Sequence, residues 1–151
     1  MEATLKRQLY DFCKNYADNR ISRIRKEILG FKEALDDETK SSAGDKYETG
    51  RAMLQLELEK SGVQLAEAEK MTKVLDLVNI KTQANFVGLG NLVKTTKANY
   101  FLAISAGEFK GDGISVYCIS SETPIGKLVF GKKVNEEVTF NDAKIKILEI
   151  L

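Results

Sequence analysis

The chain has 151 residues, 43% of them hydrophobic and 30% charged, and its formal net charge is +1. This length holds one ordinary domain or two small ones, and the balanced charge predicts no strong global attraction to nucleic acid or to a membrane surface. The absence of histidine excludes nucleophilic sites of the Ser–His and Cys–His kinds.

The N-terminal stretch MEATLKRQLYDFCKNY lacks the apolar region of a signal peptide, and no apolar run reaches the ~18 residues that a membrane span needs. We therefore expect a soluble cytoplasmic protein. The two cysteines, Cys13 and Cys118, form no C-x-x-C pair. A zinc site is not expected, and each cysteine is predicted to be a free thiol.

Residues 1–78 predict two long helices, because apolar side chains recur at alternating steps of four and three. The first seam shifts once near Tyr16; its members are Leu5, Leu9, Phe12 and Tyr16, then Ala17, Ile21, Ile24, Ile28, Phe31 and Leu35. The second helix begins near Asp45, and its seam is Tyr47, Arg51, Leu54, Leu58, Ser61, Leu65, Ala68, Thr72 and Leu75. Its apolar face is predicted to be widened by Met53, Leu56, Val63, Met71 and Val74. A short polar loop joins the helices, so they should form an antiparallel hairpin, a coiled coil.

The loop between these helices, DDETKSSAGDKYETGR, contains five carboxylates. The run from Ser42 to Asp45 fits a capping box at the start of the second helix. Asp36, Asp37 and Glu38 stand where the first helix ends, and the helix dipole disfavours negative charge there. This placement is a first indication that the acids serve something other than stability. The alternative is an ordinary solvated turn, in which Asp45 is the capping-box partner and the other acids are solubilising charge.

From about Asn79 the sequence changes to short segments rich in β-branched and aromatic residues, which predict strands: NFVGLGNLVKT, ANYFLAISA, GISVYCIS, EEVTF and AKIKILEIL. Thr123 as N-cap, Pro124 at the first helical position and Gly131 after the end predict a helix over 124–130. The second half is therefore a small antiparallel sheet with one helix. A linker near 77–85 divides the chain into predicted domains of residues 1–77 and 78–151.

The run ISSETPIGKLVFGKKVNEEVTFNDAKIKILEIL resembles the C-terminal domain of the Gre family of bacterial transcription elongation factors, GreA and GreB. The matching positions are Ile119, Ser120, Thr123, Pro124, Ile125, Gly126, Lys127, Leu128, Gly131, Lys132, Glu137 and Val138. The stretch from Phe86 to Val93 resembles the strand that opens the same domain. The resemblance follows the whole chain in order and length. It implies an α+β fold, in which a long antiparallel helical hairpin precedes a small FKBP-like antiparallel sheet domain with one short helix.

The resemblance also implies a partner, bacterial RNA polymerase, which Gre factors bind at the rim of its secondary channel. The implied polymerase-binding residues are Thr123, Pro124, Ile125, Gly126, Lys127 and Gly131. The hairpin tip would enter the channel, where Asp37, Glu38 and Asp45 would help hold a Mg²⁺ shared with the polymerase and orient a water. Mg²⁺ suits this set, since it prefers oxygen ligands and is usually held by one or two carboxylates.

Several further properties follow from that resemblance. The polymerase would perform the transcript cleavage, so the protein itself would not be an enzyme and would contact nascent RNA only indirectly. It would hold no cofactor alone, contact no membrane and act as a monomer.

The tip departs from the family pattern. With Tyr47 aligned and no gaps, Lys40 and Ala43 stand where the family has its two functional acids. One alternative is therefore a Gre-fold regulator that binds polymerase without stimulating cleavage. Another is a coiled-coil interaction protein.

Prolyl isomerase activity, by analogy with FKBP, is disfavoured because fold does not imply function. The aromatic residues of the second half are more simply explained as core; they are Tyr100, Phe101, Phe109, Tyr117, Phe130 and Phe140.

Overall fold

The computed structural model describes the backbone of residues 2–40, 44–81 and 83–151 and the side chains of residues 3–38, 48–81 and 83–151. Two long helices come first, α1 (Glu2–Lys40) and α2 (Gly44–Leu77). The strands are β1 (Leu92–Thr95), β2 (Asn99–Leu102), β3 (Gly107–Gly111), β4 (Ile114–Ile119), β5 (Glu137–Phe140) and β6 (Ala143–Ile150). A short helix, α3 (Pro124–Val129), lies between β4 and β5. The predicted fold class, a helical hairpin followed by a mostly antiparallel sheet with one short helix, is confirmed.

The sheet has six strands in the order β3-β4-β2-β1-β6-β5. Two details differ from the prediction. The stretch GEFKG is not among the predicted strands, but it forms β3 and pairs along its whole length with β4. The pair β2–β4 is parallel, with Tyr100 opposite Tyr117, so the sheet is not wholly antiparallel.

The chain divides into two compact units, which we call the sheet unit (Met1–Tyr16 with Lys73–Leu151) and the helical unit (Ala17–Thr72). Both α1 and α2 contribute to both units. The predicted domain boundary between residues 77 and 78 follows the last residue of α2 and stays a prediction.

In the helical unit, α1 and α2 pack along the predicted seam. Ile21, Ile24 and Ala68 form one buried cluster, flanked by Ile28 and Leu65. The helices are antiparallel, because an ion pair joins Arg25 to Glu69 at 3.9 Å whereas Glu38, later in α1, lies against Gly50, earlier in α2. That ion pair is largely exposed, so the stability comes mainly from the apolar seam.

The predicted apolar face of the hairpin is wrong at four positions. Tyr16 is exposed and Cys13 is buried, so the buried positions here are Leu9, Cys13 and Ala17, at successive steps of four. Met53, Leu56 and Val63 do not widen the buried face of α2; they are 63%, 65% and 61% exposed. Helical periodicity alone led to the prediction that these three apolar residues belong to the buried face, but they lie on the exposed side of α2.

The sheet unit has its own core, in which the central strands β1 and β2 bury consecutive residues and β6 alternates buried with exposed ones. Ile145 and Ile147 of β6 are fully buried, whereas Lys144 is exposed, as predicted for a half-buried strand. Val129 of α3 is also fully buried in this core, with Ile125 and Leu128 packed beside it. Burial of one such aliphatic side chain stabilises the fold by roughly 1.5–3 kcal/mol.

Among the described residues, no helix is both long enough and apolar enough to cross a membrane.

Candidate functional site

The candidate acids lie at the two helix ends that face the 41–43 segment. Asp37 and Glu38 are in the last turn of α1, and Asp45 is in the first turn of α2. Asp37 is exposed and Glu38 is half-buried. The side chain of Asp45, and the capping box predicted from Ser42, lie outside the described residues. The order of the helices thus brings the backbone of all three acids to one end of the hairpin.

Glu38 has a specific neighbour on the opposite helix. A methyl group added at Gly50 would lie 3.0 Å from Oε2 of Glu38, so the carboxylate rests directly over the backbone of α2. Asp37 is exposed and therefore accessible to a large partner. Within the described side chains, no group of three or more acidic, cysteine or histidine residues could hold a metal ion.

The second candidate region is the segment around α3, which carries the predicted polymerase-binding residues. The hydroxyl of Thr123 accepts a hydrogen bond of 3.1 Å from the backbone N–H of Gly126 and donates one of 2.7 Å to the carbonyl of Ser120. Thr123 is therefore the N-cap, and Pro124 is the first helical residue. Proline has no backbone N–H, but an N–H at this position would have no acceptor within the helix. Both predictions are confirmed.

Gly126 is required by close packing in that turn. A Cβ atom at Gly126 would collide with the carbonyl oxygen of Ser120 and would lie 2.8 Å from the hydroxyl of Thr123. The residue is buried, so it shapes the segment and does not itself present a surface.

After α3 the chain turns back to the strand-like segment that opens the sheet unit. Gly131 has φ +80°, the left-handed region that favours glycine, and its N–H donates to the carbonyl of Val87 at 2.7 Å. The N–H of Val87 in turn donates to the carbonyl of Lys132 at 2.8 Å, and Phe86 forms a bridge with Lys133. The exit of α3 is thereby fixed to residues 86–87.

Several side chains near the exit of α3 are exposed, contrary to what the sequence pattern predicts. Phe130, expected in the core, is 50% exposed, and Phe86 is 51% exposed. The ammonium group of Lys133 lies 5.8 Å from the centre of the Phe86 ring. Pro124 and Lys127 are exposed on the same short helix. We call these five residues the α3 surface. Phe86 was noted only as part of a strand-like run. For Phe130, the available signal was Gly131, which directly follows it and ends the helix.

Polar side chains on β3 and β4 form a separate network. Ser115 Oγ donates to Glu108 Oε2 at 2.7 Å, and Lys110 Nζ lies 3.3 Å from Glu108 Oε1. Hydrogen bonds from Ser115, Lys110 and Tyr117 lower the pKa of Glu108. The bond to Glu108 raises the pKa of Tyr117, which is 42% exposed and was wrongly expected in the core.

The two cysteines are free and buried, as predicted, but they are also neighbours within the sheet unit. A hydrogen bond with the thiol of Cys13, together with burial, raises the pKa of Cys118. Phe12 and Phe109 make an edge-to-face contact beside them, with ring centres 5.6 Å apart. The first turns of α1 therefore pack on β3 and β4.

A scan against protein-family models gave no match for this chain, and a search of curated proteins gave no match either. Among solved structures, the chain is similar to the structure of the transcription factor Gfh1. The match covers 87% of this chain and 92% of the other, at 17% sequence identity and a TM-score of 0.35. A likeness this low supports no conclusion about function.

Proposed function

We propose that this protein binds bacterial RNA polymerase and acts as an accessory transcription elongation factor. The observation that carries the proposal is the α3 segment. The Gre-like run includes Thr123, Gly126 and Gly131, and each has a physical task there: a cap, a close approach and a positive φ. The residues that resemble the Gre family are thus the ones that the local geometry of α3 requires.

The α3 surface supports this proposal through its chemistry. It combines exposed aromatic rings, at Phe86 and Phe130, with exposed cations, at Lys127 and Lys133. Aromatic side chains are enriched at protein–protein interfaces and supply many of their strongest contacts. Lysines at the rim would attract an acidic patch on a partner.

The hairpin supplies the second part of the proposal. Its acidic end, with Asp37, Glu38 and Asp45, would enter the polymerase and add oxygen ligands to a Mg²⁺ in the catalytic centre. The polymerase would then cleave its own transcript, and this protein would contribute ligands and position without being an enzyme alone.

Binding to core RNA polymerase, measured by biolayer interferometry, tests the proposal. We expect saturable binding by the wild-type protein and binding at least about ten-fold weaker for Lys127→Glu, since a charge reversal at an interface costs more than one hydrogen bond to a charged group. Lys144→Glu makes the same change at an exposed lysine on β6 and serves as the matched control. No binding by the wild type, or equal loss in both variants, would refute the α3 surface as the polymerase contact.

A second candidate function rests on the exposed stripe of α2. Met53, Leu56 and Val63 recur at steps of three and seven and are all more than 60% exposed. Such a stripe fits an interaction protein whose hairpin binds another helix. Light scattering after size exclusion distinguishes the two: a stable dimer lost in Leu56→Gln favours the interaction protein, and a monomer favours the polymerase factor.

A further inference from the structure

The two cysteines form a pair of buried thiols that the proposed function does not use. Cys13 of α1 is 0% exposed, and Cys118 of β4 is 2% exposed. They are the only cysteines of the chain, and more than 100 residues separate them. The fold nevertheless brings the two side chains into hydrogen-bond contact within the sheet unit. Two free thiols in contact are the reactants of a disulfide.

The packing of α1 on the sheet agrees with this contact. Val116 and Cys118 lie on one face of β4, because they are two positions apart. Phe109 of β3 stands opposite Val116 and shares that face. The ring of Phe12, the residue before Cys13, meets the ring of Phe109 edge to face at 5.6 Å. The helix therefore covers the face of β4 that carries Cys118.

The surroundings of Cys118 leave room for a reaction. Gly107 of the edge strand β3 stands directly opposite Cys118, and a Cβ atom at Gly107 would meet no atom within 4 Å. Open space thus lies beside the buried thiol pair at the exposed edge of the sheet. Two thiols in hydrogen-bond contact need to approach by only about 1–2 Å to reach the S–S bond length of about 2.05 Å.

The two thiols differ in reactivity. A hydrogen bond with Cys13, together with burial, raises the pKa of Cys118. Cys118 therefore keeps its proton, and the thiolate is the form that attacks a disulfide. This difference assigns the first attack to Cys13 and the second step to Cys118.

We propose that Cys13 and Cys118 form a reversible disulfide, a redox-sensitive link that fixes the first turns of α1 to β4. The oxidant is a small-molecule disulfide such as oxidised glutathione. The thiolate of Cys13 attacks one glutathione sulfur and releases the other as a thiolate. Cys118 then loses its proton and attacks the sulfur of Cys13, which releases the second glutathione. The protein loses two electrons and two protons, and one glutathione disulfide becomes two glutathione thiols.

The link should stabilise the protein when it forms. It closes a loop of more than 100 residues, and a loop of this length removes much conformational freedom from the unfolded chain. Because both thiols are buried, the reaction requires local opening of α1 from the sheet, so the link should form slowly.

Equilibration of the full chain with reduced and oxidised glutathione, in buffer and in urea, tests the proposal. We expect the equilibrium constant for the disulfide to be at least about 100-fold larger in the native than in the unfolded protein, since the fold places the thiols together. Under non-reducing conditions, a tryptic digest should then contain the peptides QLYDFCK and GDGISVYCISSETPIGK joined in one species.

A matched control keeps two thiols per chain but separates them. Cys118→Ala combined with Lys144→Cys moves the second thiol to an exposed position on β6, which cannot reach the buried Cys13. We expect this double variant to form its disulfide less readily in the native than in the unfolded state.

A second measurement does not depend on access to the buried thiols. The wild-type chain is oxidised in urea and then refolded by removal of the urea. The oxidised protein should regain the circular dichroism spectrum of the reduced protein, with a midpoint of thermal unfolding at least about 5 °C higher.

Three results would overturn the proposal: an equilibrium constant no larger in the native protein than in urea, absence of the joined peptides after equilibration, or an oxidised protein that fails to refold or unfolds at a lower temperature than the reduced one. None of them bears on polymerase binding, which the α3 surface tests separately.

Discussion

The hydroxyl of Thr123 accepts a hydrogen bond of 3.1 Å from the backbone N–H of Gly126 and donates one of 2.7 Å to the carbonyl oxygen of Ser120. One side chain therefore joins the turn before α3 to the first turn of the helix. Because α3 has only six residues, it has few internal hydrogen bonds of its own, and the cap and the packing of Val129 hold it in place.

Replacement of the cap should measure its contribution directly. Thr123→Ala removes both hydrogen bonds and should lower the free energy of unfolding by about 1 kcal/mol, whereas Thr123→Ser keeps the oxygen and should cost only a few tenths. Urea titration followed by circular dichroism gives both values. Equal stability of the Ala and Ser variants would show that the hydroxyl does not cap α3.

Two glycines in helices should respond to alanine with opposite signs. Gly126→Ala places a Cβ atom against the carbonyl of Ser120 and should destabilise the protein by about 3 kcal/mol, the upper end for overpacking. Gly62→Ala lies in the exposed part of α2 with no atom within 4 Å, and should stabilise it by about 0.5–1 kcal/mol. Thermal unfolding checks both; a stabilising Gly126→Ala would mean that the turn before α3 has another geometry.

The network around Glu108 predicts a dependence of stability on pH. Hydrogen bonds from Ser115, Lys110 and Tyr117 lower the pKa of Glu108 in the folded state. A lowered pKa contributes stability that is present above the unfolded-state pKa, about 4.3, and is lost as the pH falls through the folded-state value. Between about pH 5 and pH 3 the wild type should therefore lose more stability than Glu108→Gln does.

Acid titrations of unfolding by urea measure this difference. Glu137→Gln is the control: it removes an exposed carboxylate on β5 of the same sheet, and its pH dependence of stability is compared with that of Glu108→Gln. Parallel curves for the wild type and Glu108→Gln would show that the network does not stabilise the ionised carboxylate.

The cysteine pair should resist labelling in the native state. Both thiols are buried, and their mutual hydrogen bond raises the pKa of Cys118, which lowers the fraction of reactive thiolate. We expect a disulfide reagent such as DTNB to react on the order of 100-fold more slowly with the native than with the unfolded protein. Lys144→Cys supplies an exposed thiol that should react at once, and rapid native labelling of the wild type would contradict the burial.

The sequence predicted the hairpin well because its seam is a long repeated pattern. Ile24 and Ala68 lie where steps of four and three place them. The same rule failed at Tyr16 and Met53. Periodicity locates apolar stripes on a helix, but it does not say which stripe is buried against the partner helix. Burial of Cys13 depends on its contact with Cys118, more than 100 residues later, and no local pattern contains that information.

In the sheet, the missed strand β3 had a usable signal. Asp112 and Gly113 have φ values of 50° and 76°, the left-handed pair of a two-residue hairpin turn, and Asp-Gly is a favoured dipeptide for it. The parallel pairing of β2 with β4 could not be predicted, because the local sequence does not fix strand order. At the candidate site, the cap of α3 and the terminating Gly131 were predicted from local chemistry, whereas Gly126 was named only through the family resemblance. The exposure of Phe130 depends on where the chain turns after the helix.

Transcript cleavage in stalled complexes of core RNA polymerase is the decisive test of the proposed function. We expect the protein to accelerate Mg²⁺-dependent shortening of the RNA. Asp37→Asn and Glu38→Gln should reduce this acceleration, whereas Asp76→Asn, at the far end of α2, should not. Binding to polymerase with no change in RNA length would contradict the role of the acids, and the absence of both binding and shortening would contradict the account as a whole.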